Sequence, residues 1–253
     1  MDVSINGSPI YFTIPVLGGI KITASLVNTW LVMAVLIALA WWLGRGLTVR
    51  NVSRKQVVAE YIVTTVQGFV DGNMGPKFSH FAPFIAGLFS LSALSSLISM
   101  VDLFSPTADL STEVAWALLV FGMITFTKIR TSGVFGYLKG FTQPVPVLTP
   151  FNIISELATP VSMAFRHFGN IISGSVINTL VYAALALASH GLLSLLFGWL
   201  PGAVGEVVRA IPFLQVGIPA VLSVYFDLFS SFMQAFIFCM LTMLYIASAA
   251  EED

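Results

Sequence analysis

Charge is what this sequence has least of. Asp, Glu, Lys and Arg make up 9% of 253 residues, apolar types make up 57%, and the mean hydropathy is +0.92. A water-soluble domain carries about a quarter of its residues as those four charged types. This chain cannot cover its own surface in water, so lipid must be its solvent. An excess of one sign is missing too: the net charge is −1, which excludes a nucleic-acid partner. A single cysteine, Cys239, rules out an internal disulfide, and its apolar surroundings mark it as a packing residue. Residues 1–26 lack a basic-then-apolar start, being interrupted by Asp2, Asn6, glycine and proline, and do not read as a cleavable signal. No internal repeat stands out. There is no phosphate-binding glycine loop, so neither a cofactor nor nucleotide chemistry is expected on this chain.

Long uncharged runs take the place of charge. About 20 apolar residues cross the hydrocarbon core as a helix. Ile22–Gly44 offers 23 uncharged positions and Phe78–Val101 offers 24. A third span runs from about Leu110 to Ile129, with Glu113 near its outer end. A fourth runs from Ile153 past Arg166 to about Ser189, and a fifth from Pro212 to Ala249, interrupted by Asp227. At about 1.5 Å per residue the last two exceed the membrane thickness, so they are expected to lie strongly tilted. Arg45, Arg50, Arg54 and Lys55 follow span one, and Lys128, Arg130 and Lys139 follow span three. The loop between holds Asp102, Asp109 and Glu113 without a basic residue. The positive-inside rule puts both basic loops in the cytoplasm, the N-terminus outside and the tail Glu251-Glu252-Asp253 inside.

Two further stretches differ from the spans. In Val57–Phe69, apolar Val57, Val58, Tyr61, Ile62 and Phe69 and the semi-polar Thr65 recur at helical spacing beside polar Glu60, Thr64 and Gln67. It is too polar to span, and reads either as a helix on the cytoplasmic interface or as a loop helix packed on protein. Phe141–Pro150 holds Pro144, Pro146 and Pro150, which are expected to break any helix there and return the chain to the membrane. The expected fold is an all-α membrane protein of about five transmembrane helices plus a cytoplasmic interfacial helix. Residues 1–26 form an extracytoplasmic segment and 27–253 a single membrane domain.

Arg166 is the costly residue. Nine uncharged residues precede it, Leu157–Phe165, and 39 follow it, His167–Gly205, so it cannot easily snorkel. Arginine at a span centre costs at least about 2.5–3.5 kcal/mol, and intramembrane charge marks function by default. The bland alternative is a structural arginine bonded to carbonyls or a carboxylate. Asn170 and Ser173 lie at i+4 and i+7 on the same face, while His167 points roughly 100° away as a secondary candidate. Gly169 and Gly174 would let another helix approach closely. In the last span Asp227, Ser230 or Ser231, and Gln234 share a face. Asp227 either bridges Arg166 or lines a wet cavity, and Gln234 has the reach to hold the guanidinium without cancelling its charge. Ser95, Ser96, Ser99 and Asp102 form a weaker polar edge on span two, serving hydration or packing.

The segments FRHFGNIISG around Arg166, MQAFIFCMLTMLYIASAAEE from Met233 and SPTADLSTEVA from Ser105 closely resemble subunit a of the rotary ATP synthase membrane sector, bacterial type. The order PFNIISE, TPVSMAFRHFGN, QAFIF matches as well, and the resemblance runs from about residue 27 to the end. It implies a stator subunit of the plasma membrane that forms two offset ion half-channels against a rotating ring of c subunits. The implied partners are that c ring, the peripheral-stalk b subunits, the rest of the synthase and membrane lipid. The family's essential arginine falls on Arg166, its asparagine on Asn170 and its glutamine on Gln234. A fixed cation beside the ring favours ionised rotor carboxylates and repels a free cation that would leak between the half-channels. Each ion crossing about 100 mV supplies about 2.3 kcal/mol. Arginine suits the role because it does not readily deprotonate.

One departure stands out. Many relatives carry an acid nine positions after the arginine, where this chain has Ser175. Seven residues before the glutamine, where relatives vary, it has Asp227. The expectation is that Asp227 takes over as proton relay of the outer half-channel, with Ser175 beside it. Glu156 resembles a carboxylate of the cytoplasmic half-channel. Two other classes compete. A secondary transporter would show inverted repeats. An intramembrane hydrolase would pair Ser175 or Ser173 with His190, but the Gly-x-Ser-Gly spacing fails because position 171 is Ile.

Overall fold

The computed structural model describes residues 7–15, 19–49, 52–101, 103–199, 202, 205–206, 211–215, 221–222 and 224–251. Arg50, Asp102, Glu252, Asp253 and part of the fifth expected span lie outside these residues. The chain opens on a two-stranded antiparallel hairpin, β1 (Ile10–Ile14) and β2 (Ile20–Thr23), with a register irregularity between Ile10 and Phe12. Its β-branched and aromatic residues favour extended backbone. Nothing in the span pattern pointed to this element, and its Ile10, Tyr11, Phe12, Ile14 and Ile20 are all exposed.

Helices α1 (Ala24–Gly44), α2 (Arg54–Met74), α3 (Ala82–Leu97), α4 (Leu110–Gly140), α5 (Thr149–Phe197) and α6 (Ser230–Glu251) follow. Five helical stretches are long and apolar enough to cross a membrane, so the all-α membrane fold stands: 24–44, 76–101, 110–140, 146–197 and 230–250. The 3-10 segments Pro76–Phe81 and Ile98–Val101 extend α3 at its two ends. The third stretch runs well past Ile129, because Gly133 takes φ 72 and lets a short further helix continue across the kink.

The proline-rich stretch is corrected in one respect. A 3-10 turn, Pro146–Leu148, ends at Thr149, and α5 begins there with Pro150 inside its first turn. That is where proline is tolerated, since no intrahelical partner waits for its missing N–H. Pro150 therefore starts a helix instead of breaking one.

The core lies where α2, α3, α4 and α6 meet. Val70, Met74, Ile85, Val120, Ile124, Met243 and Ile246 pack there with Met163 and Ala164 of α5. Cys239 is 1% exposed among them and packs as a small apolar residue. Polar contacts fix the hairpin end of the bundle. Ser25 Oγ donates to Asp109 Oδ2 at 2.6 Å and Asn28 Nδ2 to the Phe104 carbonyl at 2.7 Å, tying α1 to the approach of α4. Ser95 and Ser96 are buried in the same tie: Ser105 Oγ donates to the Ser95 carbonyl and Ser96 pairs with Thr107. The span-two serines thus serve packing at those two positions, while Ser99 is exposed.

Helix α2 divides into an exposed first half and a packed second half. Ser53 caps the helix by accepting from the Gln56 N–H, and Gly75 ends it at φ 87. Val57, Val58, Tyr61 and Ile62 are exposed, as an interfacial helix requires. Val70 and Met74 enter the core, and Phe69 stacks near Phe236 at 5.6 Å. Lys55 Nζ caps the end of α1 through the Trp42 and Arg45 carbonyls.

Candidate functional site

Helix α5 turns one narrow stripe inward. Pro160, Met163, Ala164 and His167 are buried at i, i+3, i+4 and i+7. Arg166 falls on the other side and is exposed, as are Asn170, Ser173 and Ser175. Around them Leu157, Val161, Phe165, Ile177 and Leu180 are exposed as well. A Cβ added at Gly169 would meet nothing within 4 Å, so no helix among the described residues uses that opening. Arg166 has no hydrogen bond or ion pair with any described residue. The result is a guanidinium without a partner among the described residues, on a face it shares with exposed Asn170 and Ser173.

Gln234 and Ser231 sit at the edge of the core on α6, 9% and 2% exposed. No hydrogen bond joins Gln234 to Arg166, so the expected direct hold is absent in this arrangement. Asp227 lies in a π-helical turn, Val224–Phe229, immediately before α6. Such turns recur at functional sites. The side chain of Asp227 is outside the described residues, and the alternatives raised for it, bridge or cavity, rest there.

Two polar clefts flank Arg166 along α5. The first, about 690 Å³, is lined by Ser96, Ser99, Ser175, Asn178, Tyr182 and Ser231, with Tyr11 and Pro9 of the hairpin at its rim. Ser175 enters it nine residues beyond Arg166, about 13 Å along a straight helix. The second, about 770 Å³, is lined by Lys128, Tyr137, Asn152, Ser155 and Glu156. Glu156 enters it ten residues before Arg166, about 15 Å the other way. There Lys128 Nζ pairs with Glu156 at 2.9 and 3.2 Å, with both side chains partly exposed. The sequence reading assigned Glu156 to the cytoplasmic side but did not find its lysine, which is 28 residues away in the chain.

A second pair escaped sequence reading altogether. His167 Nδ1 lies 3.2 Å from Glu113 Oε2, with the side chains 2% and 0% exposed. The distance suits ion pairing, but the angles do not make a hydrogen bond, and both groups lack any other hydrogen-bond partner among the described residues. Trp116 and Phe238 wall the pair, their ring centroids 6.4 and 5.8 Å from the imidazole. Glu113 looked like a loop-end acid and His167 a packing residue, because 54 positions separate them. The hydrolase reading finds no geometry: Ser175 and His190 stand fifteen residues apart on one helix, about 22 Å.

Comparison with known proteins identifies the family. The family model described as ATP synthase A chain matches residues 26–247. The ATP synthase subunit a 1 of Crocosphaera subtropica is 35% identical over 194 residues, covering 76% of this chain and 84% of that protein. The ATP synthase subunit a 2 of Acaryochloris marina is 32% identical over 238 residues, 93% and 89% of the two chains. The sodium ion specific ATP synthase subunit a of Propionigenium modestum is 33% identical over 248 residues, 90% and 74%.

Proposed function

Because the chain belongs to the ATP synthase A chain family, we propose that it is the ion-conducting stator of that enzyme's membrane sector, facing a rotating c ring. Membership makes it a multi-pass membrane subunit of an ATP synthase; the machinery assigned to it below is our reading. The observation that carries the reading is the unpaired, exposed Arg166 set between two polar clefts on one helix.

In this mechanism the open face of α5 meets the ring, and each rotor carboxylate that arrives opposite Arg166 supplies the missing anion. The guanidinium favours the ionised carboxylate, so the ion leaves into one cleft and the next site loads from the other. The first cleft, at the hairpin end, is the outer half-channel. Asp227 relays protons there, with Ser175 and Ser231 supplying hydroxyls for a water chain. The second cleft is the cytoplasmic half-channel, where Lys128 holds Glu156 in its wall. The 28 Å or so of α5 between Ser175 and Glu156 keeps the two clefts from meeting. Asn170, Ser173 and Gln234 tune the surroundings of the arginine, the b subunits steady the chain, and ATP chemistry belongs to other subunits. The N-terminus lies outside and the C-terminus in the cytoplasm of a bacterial plasma membrane.

Arg166→Ala, introduced into the complete ATP synthase in inverted membrane vesicles, is the test. ATP-driven acidification is expected to vanish while the complex still assembles with its c ring. Pumping at the level of the unmodified enzyme overturns the reading, as does a chain that never co-purifies with a c ring. The proton is taken as the coupling ion. Similarity to a sodium ion specific relative favours a second reading, and sodium stimulation of ATPase activity selects it.

A further inference from the structure

We propose that Glu113 and His167 form a buried polar clamp that sets the rotation of α5 about its axis and keeps Arg166 on the open face. The proposal rests on the stator reading for the meaning of that face. It treats both residues as positioning residues, acting through the arginine.

Helix α5 is 49 residues long yet buries only Pro160, Met163, Ala164, His167 and Ser189. Its apolar side chains choose no azimuth. In lipid an exposed leucine is as well solvated as a buried one, and association rests on packing and polar contacts. Val161 and Phe165, on the outward side, are as apolar as Met163 on the inward side. Pro160, six residues before the arginine, weakens the register further, since it removes the hydrogen bond to the Glu156 carbonyl. Something other than greasiness must therefore select the face.

The Glu113–His167 contact makes that selection. A carboxyl at 0% exposure needs a polar neighbour, and His167 Nδ1 at 3.2 Å is its only one among the described residues. Leaving a buried polar group alone costs more than the net worth of the pair. Buried polar pairs of this kind are suited to selecting one register among packings that apolar residues leave nearly equal.

The competitor for that slot is the next residue along the chain. Consecutive helical residues are about 100° apart. A turn of that size brings Arg166 to the place His167 now fills, between Trp116 and Phe238 and against the Glu113 carboxylate. A guanidinium there would be neutralised by a bidentate pair and lost to the ring. By occupying the slot, His167 keeps Glu113 from capturing the arginine.

Capture predicts an unusual order of severity. In the complete enzyme, in inverted vesicles, His167→Ala opens the slot while the Glu113 carboxyl group remains to receive the arginine, and ATP-driven pumping is expected to fall at least fivefold. Adding Glu113→Gln removes the trap, and the double variant is expected to recover at least half of the original rate. Two residues that merely stabilise the fold give a double variant no better than the single one. That result, or His167→Ala pumping within twofold of the unmodified enzyme, overturns the clamp. Assembly is read from the amount of this chain recovered with the c ring. If His167→Ala does not assemble, His167→Ser, also too small to fill the slot, replaces it in both arms with the same criteria. Arg166→Ala in parallel keeps the two readings apart: pumping by that variant sinks the stator reading, whatever the clamp variants do.

Discussion

Helices α5 and α6 are equally apolar and live in opposite surroundings. Their most hydrophobic windows average 1.9 and 1.8 in hydropathy, yet 6% of the first is buried inside the chain and 44% of the second. In water such a difference would be impossible, because 1.9 in hydropathy would drive α5 inward. In lipid it carries no penalty, so apolarity decides only that a helix enters the membrane and not which way its faces turn. Polar residues then take over the orienting role. On α6 Ser231, Gln234 and Thr242 are buried, whereas on α5 Arg166, Asn170 and Ser173 face out and only His167 and Ser189 face in. On the stator reading proposed above, the helix that is mostly bare is the one offered to the ring.

Substitutions sharpen this contrast, beginning with the largest effect. Asp227→Asn, in the turn that precedes α6, is expected to cut ATP-driven pumping at least about tenfold, the scale set by losing a positioned proton-transfer group. Near-normal fluorescence quenching in vesicles would remove Asp227 from the mechanism. Met243→Ala, at 0% exposure on α6, should destabilise the chain. The loss should fall near or below the lower end of the roughly 2–5 kcal/mol seen in soluble cores, since lipid removes the transfer part and leaves the cavity. Limited proteolysis of membranes along a temperature ramp measures it. Glu156→Gln should lower stability by no more than about 1 kcal/mol, because its partly exposed pair with Lys128 is screened in the cleft. In the same variant, a few-fold slower pumping identifies a half-channel role, and an unchanged rate leaves the pair structural. Leu187→Ala, 74% exposed on α5, should change stability by less than about 0.5 kcal/mol. A loss as large as that of Met243→Ala would mean that this stretch of α5 is covered by protein after all.

Particular residues show how far the sequence could be read. The span positions were legible because a lipid solvent demands about 20 apolar residues in a row, and α1 and α3 fall where that demand predicts. Arg166 was legible because a charge among 48 uncharged neighbours has no cheap explanation. The hairpin at Ile10–Thr23 was missed, since a short run of β-branched and aromatic residues looks like any apolar stretch beside a span. The reach of α4 to Gly140 was missed because the span was read from uncharged length and Lys128 and Arg130 end that run, whereas the helix continues past them with one kink at Gly133.

The sequence alone therefore determined the solvent, the number and approximate limits of the crossings, and where a lone arginine sits among uncharged residues. Those follow from local quantities: run length, charge content and the cost of a lone arginine. The tertiary structure decided which side of each helix is open, that Arg166 stands unpaired between two clefts, that Lys128 meets Glu156 and that Glu113 meets His167. Those depend on rotation about helix axes. In a chain whose faces are nearly all apolar, that rotation is set by a few long-range polar contacts, and sequence spacing does not encode them.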